Sequence, residues 1–221
     1  MKRHYPIPVL TTALLLTALL FAAPATAAED LKVKITAALE SVPVKHNGET
    51  VTIRREQDPN ARVDDAFAQT ARPCPPFCIQ PMQIAPGVET IGEIEMLDFL
   101  RRASLGEDVL VIDSRTPDWV ARGTIPGSIN IPWTQLDTSR GADPFLITDI
   151  LESQFGARTQ EGLWDFSGVK TLVLFCNGMW CGQSPANIRT LLELGYPADK
   201  LKWYRGGMQN WSNLGLTSVK P

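Results

Sequence analysis

From residue 88 onward the chain alternates short apolar runs of strand length with stretches whose apolar residues recur at helical spacing. Residues 108–113 (Asp-Val-Leu-Val-Ile-Asp) read as a buried strand with an acid at its end. Residues 125–132 carry a Pro-Gly turn and another short strand. Residues 169–175 (Val-Lys-Thr-Leu-Val-Leu-Phe) read as the central strand, and residues 201–204 as the last. Between them lie three predicted helices. In residues 93–102, Ile94, Leu97 and Leu100 share a face, with Arg101 and Arg102 where the helix dipole favours cations. Residues 145–155 place Ile147, Ile150, Leu151 and Phe155 at helical spacing, and residues 185–194 form a helix ended by Gly195. Strands alternating with helices predict an α/β fold, a parallel sheet of about five strands with helices on both faces. In such sheets the functional crevice lies beyond the strand C-termini, where Asp113 and Cys176 both fall.

The upstream part has a different texture. Residues 42–45 and 50–54 flank His46-Asn47-Gly48-Glu49, and Asn-Gly is a strong hairpin signal. A lone hairpin is marginal, so this one is expected to pack on the main domain, with His46 facing solvent at its turn. Residues 31–39 read as a short helix or strand. The polar residues 57–60 and 62–69 read as a linker with a helical turn. Residues 72–81 follow, stiffened by prolines and carrying Cys74 and Cys78. No internal repeat is visible.

The first residues change the picture of where the protein works. A basic start, an apolar stretch over residues 9–23 and a small-x-small site at residues 25–27 make a secretory signal. Cleavage is expected after Ala27, and the short, Thr-interrupted run disfavours a retained membrane anchor. The expected organisation is a signal peptide over 1–27, an N-terminal extension over 28–84 and the α/β domain over 85–221, in a periplasmic or secreted protein. Losing residues 1–27 removes two basic side chains and no acidic ones, moving the formal charge from −3 to −5. That balance provides no footprint for nucleic acid and no basic face for a membrane after cleavage. No cofactor and no metal is expected.

The candidate chemistry lies with the four cysteines. Cys176 ends the apolar strand and enters a loop that closes on a helix, with Ser184 read as its N-cap and Pro185 at the first helical position. A thiol facing a helix N-terminus sits in a positive field that favours the thiolate. Cys181 reads either as a resolving or redox partner of Cys176 or as a structural residue. Cys74 and Cys78 read as a small disulfide, with two alternatives: a second thiol pair over the active-site mouth, or half of a four-cysteine zinc site. Local pairs of this kind close tiny loops and tilt the reading towards redox or sulfur chemistry. Asp113 and Arg115 read as a structural ion pair in a supporting role, and Arg205 as a crevice cation or an exposed residue. Trp133, Trp164, Trp203 and Trp211 read as packing, whereas Trp180 is placed to wall a pocket. The only histidines are His4 and His46, so no Cys-His dyad is expected.

Four blocks in order resemble the rhodanese (sulfurtransferase) family over roughly residues 88–216. Val109-Leu110-Val111-Ile112-Asp113-Ser114-Arg115 resembles a strand ending in Asp-x-Arg. Residues 123–132 (Gly-Thr-Ile-Pro-Gly-Ser-Ile-Asn-Ile-Pro) resemble the family's Gly-His-Ile-Pro-Gly-Ala-x-Asn-Ile-Pro block. The run from Leu172 to Cys176, with its Gly-containing loop and Ser184, resembles the active-site strand and loop. Leu194-Gly195-Tyr196 and Arg205-Gly206-Gly207-Met208-Gln209-Asn210-Trp211 resemble the ending. The resemblance implies sulfur transfer through a Cys176 persulfide, from a small sulfur donor to a thiol, a protein thiol among them, or another nucleophilic acceptor. The loop residues Asn177, Gly178, Met179, Trp180, Gly182, Gln183 and Ser184 would bind substrate. Backbone N–H groups of 177–183 would face the sulfur, with Gly178 and Gly182 easing the backbone.

The sequence departs from the family at four points. Ser184 stands eight residues after Cys176 rather than six, and Gln183 stands where an Arg often precedes that Ser. Thr124 replaces the usual His, and Trp119 falls where Glu is frequent. An uncharged, lengthened loop suits a thiol, a persulfide or a protein partner better than a small dianion such as thiosulfate. A thiol–disulfide protein using Cys176/Cys181 and a non-catalytic binding module are the alternatives. A phosphatase or arsenate reductase is disfavoured because no Arg lies between Cys176 and Ser184.

Overall fold

The computed structural model describes residues 32–221 together with Met1; the expected signal peptide over 1–27 lies outside the described residues. Strands β1 (Ser41–His46) and β2 (Glu49–Arg54) form the predicted hairpin, in antiparallel register from Ser41 opposite Arg54 to His46 opposite Glu49. Asn47 and Gly48 both take positive φ, as a two-residue turn of this twist requires. Residues 32–40 contain no regular element. The linker carries one helical turn, α1 (Asp65–Ala68), whose Asp64 side chain accepts from Ala66 N.

The main sheet has the order β3-β9-β8-β4-β5, all parallel, in which β3 is Glu89–Ile91, β4 Val109–Asp113, β5 Ile129–Asn130, β8 Thr171–Phe175 and β9 Leu201–Tyr204. The interposed helices are α2 (Glu93–Ser104), α3 (Pro117–Val120), α4 (Pro144–Asp149), α5 (Gln183–Glu193) and α6 (Gly207–Asn213). The predicted helix over 145–155 begins as α4 and widens into a π turn over Ile150–Gln154. A second small hairpin, β6 (Arg158–Gln160) with β7 (Leu163–Asp165), and the short edge strand β3 are absent from the sequence reading. All three are three-residue strands with no apolar alternation to signal them.

Side-chain alternation along the strands divides the core in two. Val109, Val111, Val173, Phe175 and Tyr204 pack with Met96, Leu97 and Leu100 of α2 and Met208 and Trp211 of α6. Ile112, Leu172, Leu174, Leu201 and Trp203 pack on the other face with Ile147, Ile150, Leu151, Ile188 and Leu191. This is the period-2 pattern of a sheet buried on both sides. Ile94, expected on the buried face of α2, is instead 49% exposed. Met96 takes the inward position, because the buried stripe runs through residues 96, 97 and 100.

The N-terminal hairpin belongs to the first core, to which it contributes Val42, Val44 and Ile53. It is tied to the last residues of the chain by Glu56 N to Gly215 O (2.7 Å) and Thr217 N to Arg54 O (3.0 Å). His46 is not the free solvent-facing residue expected at the turn. It is half-buried, and its Nδ1 accepts from Gly127 N at 3.2 Å. Among the described residues no helix is long and apolar enough to cross a membrane.

Candidate active site

Strand β8 delivers Cys176 to the C-terminal edge of the sheet, next to the end of β4. Ser114 N donates to Phe175 O at 2.9 Å, and Asn187 Nδ2 on α5 donates to Ser114 Oγ (3.0 Å) and Ile131 O (3.1 Å). The loop leaves β8, turns back with Cys181 N on Gly178 O (2.9 Å) and enters α5. The helix starts two residues earlier than expected. Gly182 is the N-cap, and Ser184 and Pro185 lie inside the first turn, where the missing proline N–H costs no bond. Ser184 does not cap the helix because its hydroxyl is committed to the sulfur.

That hydroxyl donates to Cys176 Sγ at 3.1 Å, and Trp203 Nε1 donates to the same Ser184 Oγ at 3.1 Å. The indole occupies a lone pair of the oxygen, so the single hydroxyl hydrogen is left for the sulfur. Trp203, read from sequence as packing alone, is thus also a positioning group. Burial pushes the Cys176 thiol up, but hydrogen bonds from the Cys181 thiol, the Ser184 hydroxyl and the Ser184 and Gly178 backbone outweigh it. The net effect lowers it to about 7. Cys181 moves the other way, well above the usual thiol range. Its burial is the largest cause, followed by its hydrogen bond to Cys176 and the charge there. Both thiols are free and buried. Of the two, Cys176 is the thiol favoured as thiolate and Cys181 the one held protonated; the Cys181 thiol donates to Gln183 Oε1 at 3.7 Å, and Cys176 Sγ lies 3.4 Å from Cys181 O. The backbone influences divide between the thiols: those of Gly178 and Ser184 lower Cys176, and those of Asn177 and Gln183 lower Cys181.

Two consequences are measurable. Iodoacetamide modification of Cys176 should rise about tenfold per pH unit below 7 and level off above it, because only the thiolate reacts. In Ser184→Ala the midpoint should move up by roughly one unit or more, the worth of a hydrogen bond to a charged group. A midpoint unchanged from wild type would remove Ser184 from the account.

The rest of the loop is held from below and from the side. Asp113 and Arg115 are both fully buried and paired, with Arg115 Nη2 2.6 Å from Asp113 Oδ2. Arg115 also donates to Gly123 O (2.6 Å), Trp119 O (3.3 Å) and Asn177 Oδ1 (3.3 Å), which carries the pair's order into the loop. Thr124, where the family has His, donates to Asp113 Oδ2 at 2.7 Å. Helix α6 closes on the loop backbone: Met208 N donates to Cys176 O (3.0 Å) and Gln209 N to Asn177 O (2.9 Å).

This approach requires Gly207. Its φ is +55°, and a Cβ there would lie 2.4 Å from Cys176 O and 2.7 Å from Gly178 N. Gly207→Ala should therefore displace the loop. We expect about 2 kcal/mol or more of lost stability by denaturant unfolding, with loss of Cys176 reactivity. Gly182, by contrast, has φ −91°, open to any residue, so its expected conformational role is not needed.

The N-terminal extension contributes residues that the sequence did not assign to the site. The Arg72 guanidinium lies 3.8 Å over the Trp180 ring, and Phe77 meets the same ring edge-on at 5.5 Å. Gln80 N donates to Met179 O at 2.8 Å. Arg205, read as crevice cation or exposed, is half-buried and donates to Gln80 O (2.9 Å), with Nη1 3.7 Å from Met179 Sδ. Trp180 Nε1 donates to Gln209 Oε1 at 2.7 Å, fixing the indole. Cys74 and Cys78 are joined as a disulfide, which removes the four-thiolate zinc alternative. Among the described residues no cluster of His, Cys, Asp or Glu is placed to hold a metal. Arg72 had no motif to mark it; only the nearby prolines and cysteines singled out its segment.

Residues 97–214 match the rhodanese-like domain family model. The chain belongs to the rhodanese-like family. The HTH-type transcriptional regulator Rv0324 of Mycobacterium tuberculosis is 27% identical over 123 residues, covering 56% of this chain and 42% of that protein. The chain thus spans about two fifths of the length of this curated relative. Human single-domain sulfurtransferase TSTD1 is 20% identical, covering 56% of this chain and 95% of that one, with a TM-score of 0.37. A thiosulfate sulfurtransferase from Pseudomonas aeruginosa is 17% identical, covering 60% of this chain and 20% of that one, with a TM-score of 0.40. The rhodanese-like match spans the loop, the Asp113–Arg115 pair and α6, and stops short of the 72–81 segment.

Proposed function

We propose that the protein is a sulfurtransferase that carries sulfane sulfur as a Cys176 persulfide, in the periplasm or outside the cell after removal of residues 1–27. The observation that carries this reading is the Ser184 hydroxyl donating to Cys176 Sγ at 3.1 Å in the first turn of α5, with Trp203 Nε1 fixing that hydroxyl. The hydroxyl and the helix N-terminus favour a thiolate, and the same positive environment suits the anionic terminal sulfur of a persulfide. In the first half-reaction the Cys176 thiolate attacks the sulfane sulfur of the donor. A Cys–S–S bond forms, and the donor residue leaves with the electron pair of its broken bond to sulfur. In the second, an acceptor thiolate attacks the outer sulfur and Cys176 departs as thiolate, ready for another cycle. A pKa near 7 makes Cys176 both a populated nucleophile and a competent leaving group.

The test is incubation of the purified protein, before and after thiol reduction and removal of the reductant, with thiosulfate, mercaptopyruvate or a polysulfide, followed by peptide mass analysis of residues 171–189. Persulfide on Cys176 from at least one donor supports the reading. A Cys176–Cys181 disulfide that exchanges with thiols but never loads sulfur would favour the thiol–disulfide alternative, for which the two free, buried thiols in one cluster are the relevant observation.

A further inference from the structure

Cys176 is 2% exposed, Cys181 4% and Trp180 8%, so the proposed nucleophile is sealed in this structure. What seals it is only partly the rhodanese-like domain. Phe77 packs directly on the cluster formed by Cys176, Trp180 and Cys181. Arg72 lies flat on the Trp180 indole, and its desolvation lowers the guanidinium's pKa. Gln80 bonds the loop at Met179 and is itself held by Arg205. Residues 72–80 thus form a strap fastened at three points across the catalytic loop. None of the fastenings is covalent or a charge pair: they are a ring edge, a cation on a ring face, and two hydrogen bonds.

The strap carries one covalent element, and its placement contrasts with that of Cys176. Cys74 is exposed and Cys78 half-exposed, so their disulfide is open to a reagent that cannot reach the buried thiols. The bond closes a loop of four residues' separation around Phe77, and Phe77 N donates to the O of Pro73, just ahead of that loop, at 2.9 Å. Opening it restores backbone freedom to the residue that plugs the site, which weakens the plug relative to the lifted state.

We propose that residues 72–80 are a redox-controlled lid on Cys176, closed while the Cys74–Cys78 disulfide is intact and released when a thiol reductant cleaves it. One reductant thiolate attacks a sulfur of the disulfide, forming a mixed disulfide and expelling the other cysteine as thiolate. A second reductant thiol attacks the mixed disulfide, leaves as the oxidised reductant and frees the remaining cysteine. Two electrons pass from two thiols to the lid, and Cys176 takes no part. Such a lid would admit substrate to a sulfur site only where thiols are abundant enough to reduce it, and thiols are also the acceptor class proposed for the sulfur. The inference rests on Cys176 being the reacting sulfur, but its test reads access rather than sulfur transfer.

The experiment compares the iodoacetamide modification rate of Cys176, read by peptide mass at pH 8, in wild type, Cys74→Ser/Cys78→Ser and Phe77→Ala. Wild-type protein treated with dithiothreitol, then freed of it, forms a fourth sample. Circular dichroism establishes that each is folded, the lid lying outside both sheet cores. The lid predicts slow modification of oxidised wild type and an acceleration of at least about tenfold in the other three. Unchanged rates in the reduced protein and both variants would overturn it. Acceleration in Phe77→Ala alone would mean a plug without redox control and would also overturn it. Acceleration in all three with no persulfide formed from any donor would leave the lid standing and remove sulfur transfer instead.

Discussion

Replacing Cys176 by Ser should reduce sulfur transfer by about 10³-fold or more, to the rate of the uncatalysed exchange, with the fold unchanged. The size of the effect follows from the role assigned to the atom. In the proposed cycle the sulfur accepts, holds and releases the transferred atom, and an oxygen in its place forms no stable perthio intermediate. The neighbouring Cys181 cannot substitute. Its thiol is held protonated chiefly by burial, and the Ser184 hydroxyl is directed at position 176 rather than at Cys181. Cys181→Ser should accordingly retain loading, while altering the pKa of Cys176 by replacing one donor with another. Release of sulfide from a persulfide donor in the presence of a thiol measures both variants. Activity of Cys176→Ser within a few fold of wild type would place the chemistry on a different residue.

The second large effect concerns stability rather than chemistry. Arg115→Ala should cost about 3–5 kcal/mol, because it leaves the Asp113 carboxylate without its buried counter-ion and orphans the Gly123 carbonyl. For a chain of this size that corresponds to a fall of about 6–20 °C in melting temperature. The loss should reach the site as well, since Asn177 Oδ1 loses its donor at the first position of the catalytic loop. Replacing both partners by apolar residues should be less damaging than removing the arginine alone, which separates an uncompensated charge from lost packing. Thermal unfolding followed by circular dichroism decides it. A shift of less than about 2 °C in Arg115→Ala would show that the pair is dispensable.

The sheet was legible in the sequence because its strands are apolar on both faces and end in recognisable residues: Asp113 on β4 and Cys176 on β8. The pair of Asp113 with Arg115 was legible for the same reason, since two residues beyond a strand end cannot separate far. What escaped was tertiary. Ser184 looked like a helix cap because Ser before Pro is a common start, but the hydroxyl found a better acceptor in the thiolate, and Gly182 took over the cap. His46 looked like a turn residue in water, and its environment comes from Gly127, eighty-one positions away. The uncharged loop was read correctly from its own residues. The cations beside it, Arg72 and Arg205, come from elsewhere in the chain. Arg72 belongs to a segment where no periodicity exists to say what it touches.

The central claim is that a single sulfur atom rides on Cys176. Intact-mass measurement before and after exposure to a sulfane-sulfur donor, with the 74–78 disulfide reduced, tests it most directly. The account predicts a gain of one sulfur atom per chain in wild type, its loss on adding a thiol acceptor, and no gain in Cys176→Ser. An equal gain in wild type and Cys176→Ser, or no gain in wild type with any donor class, would contradict it.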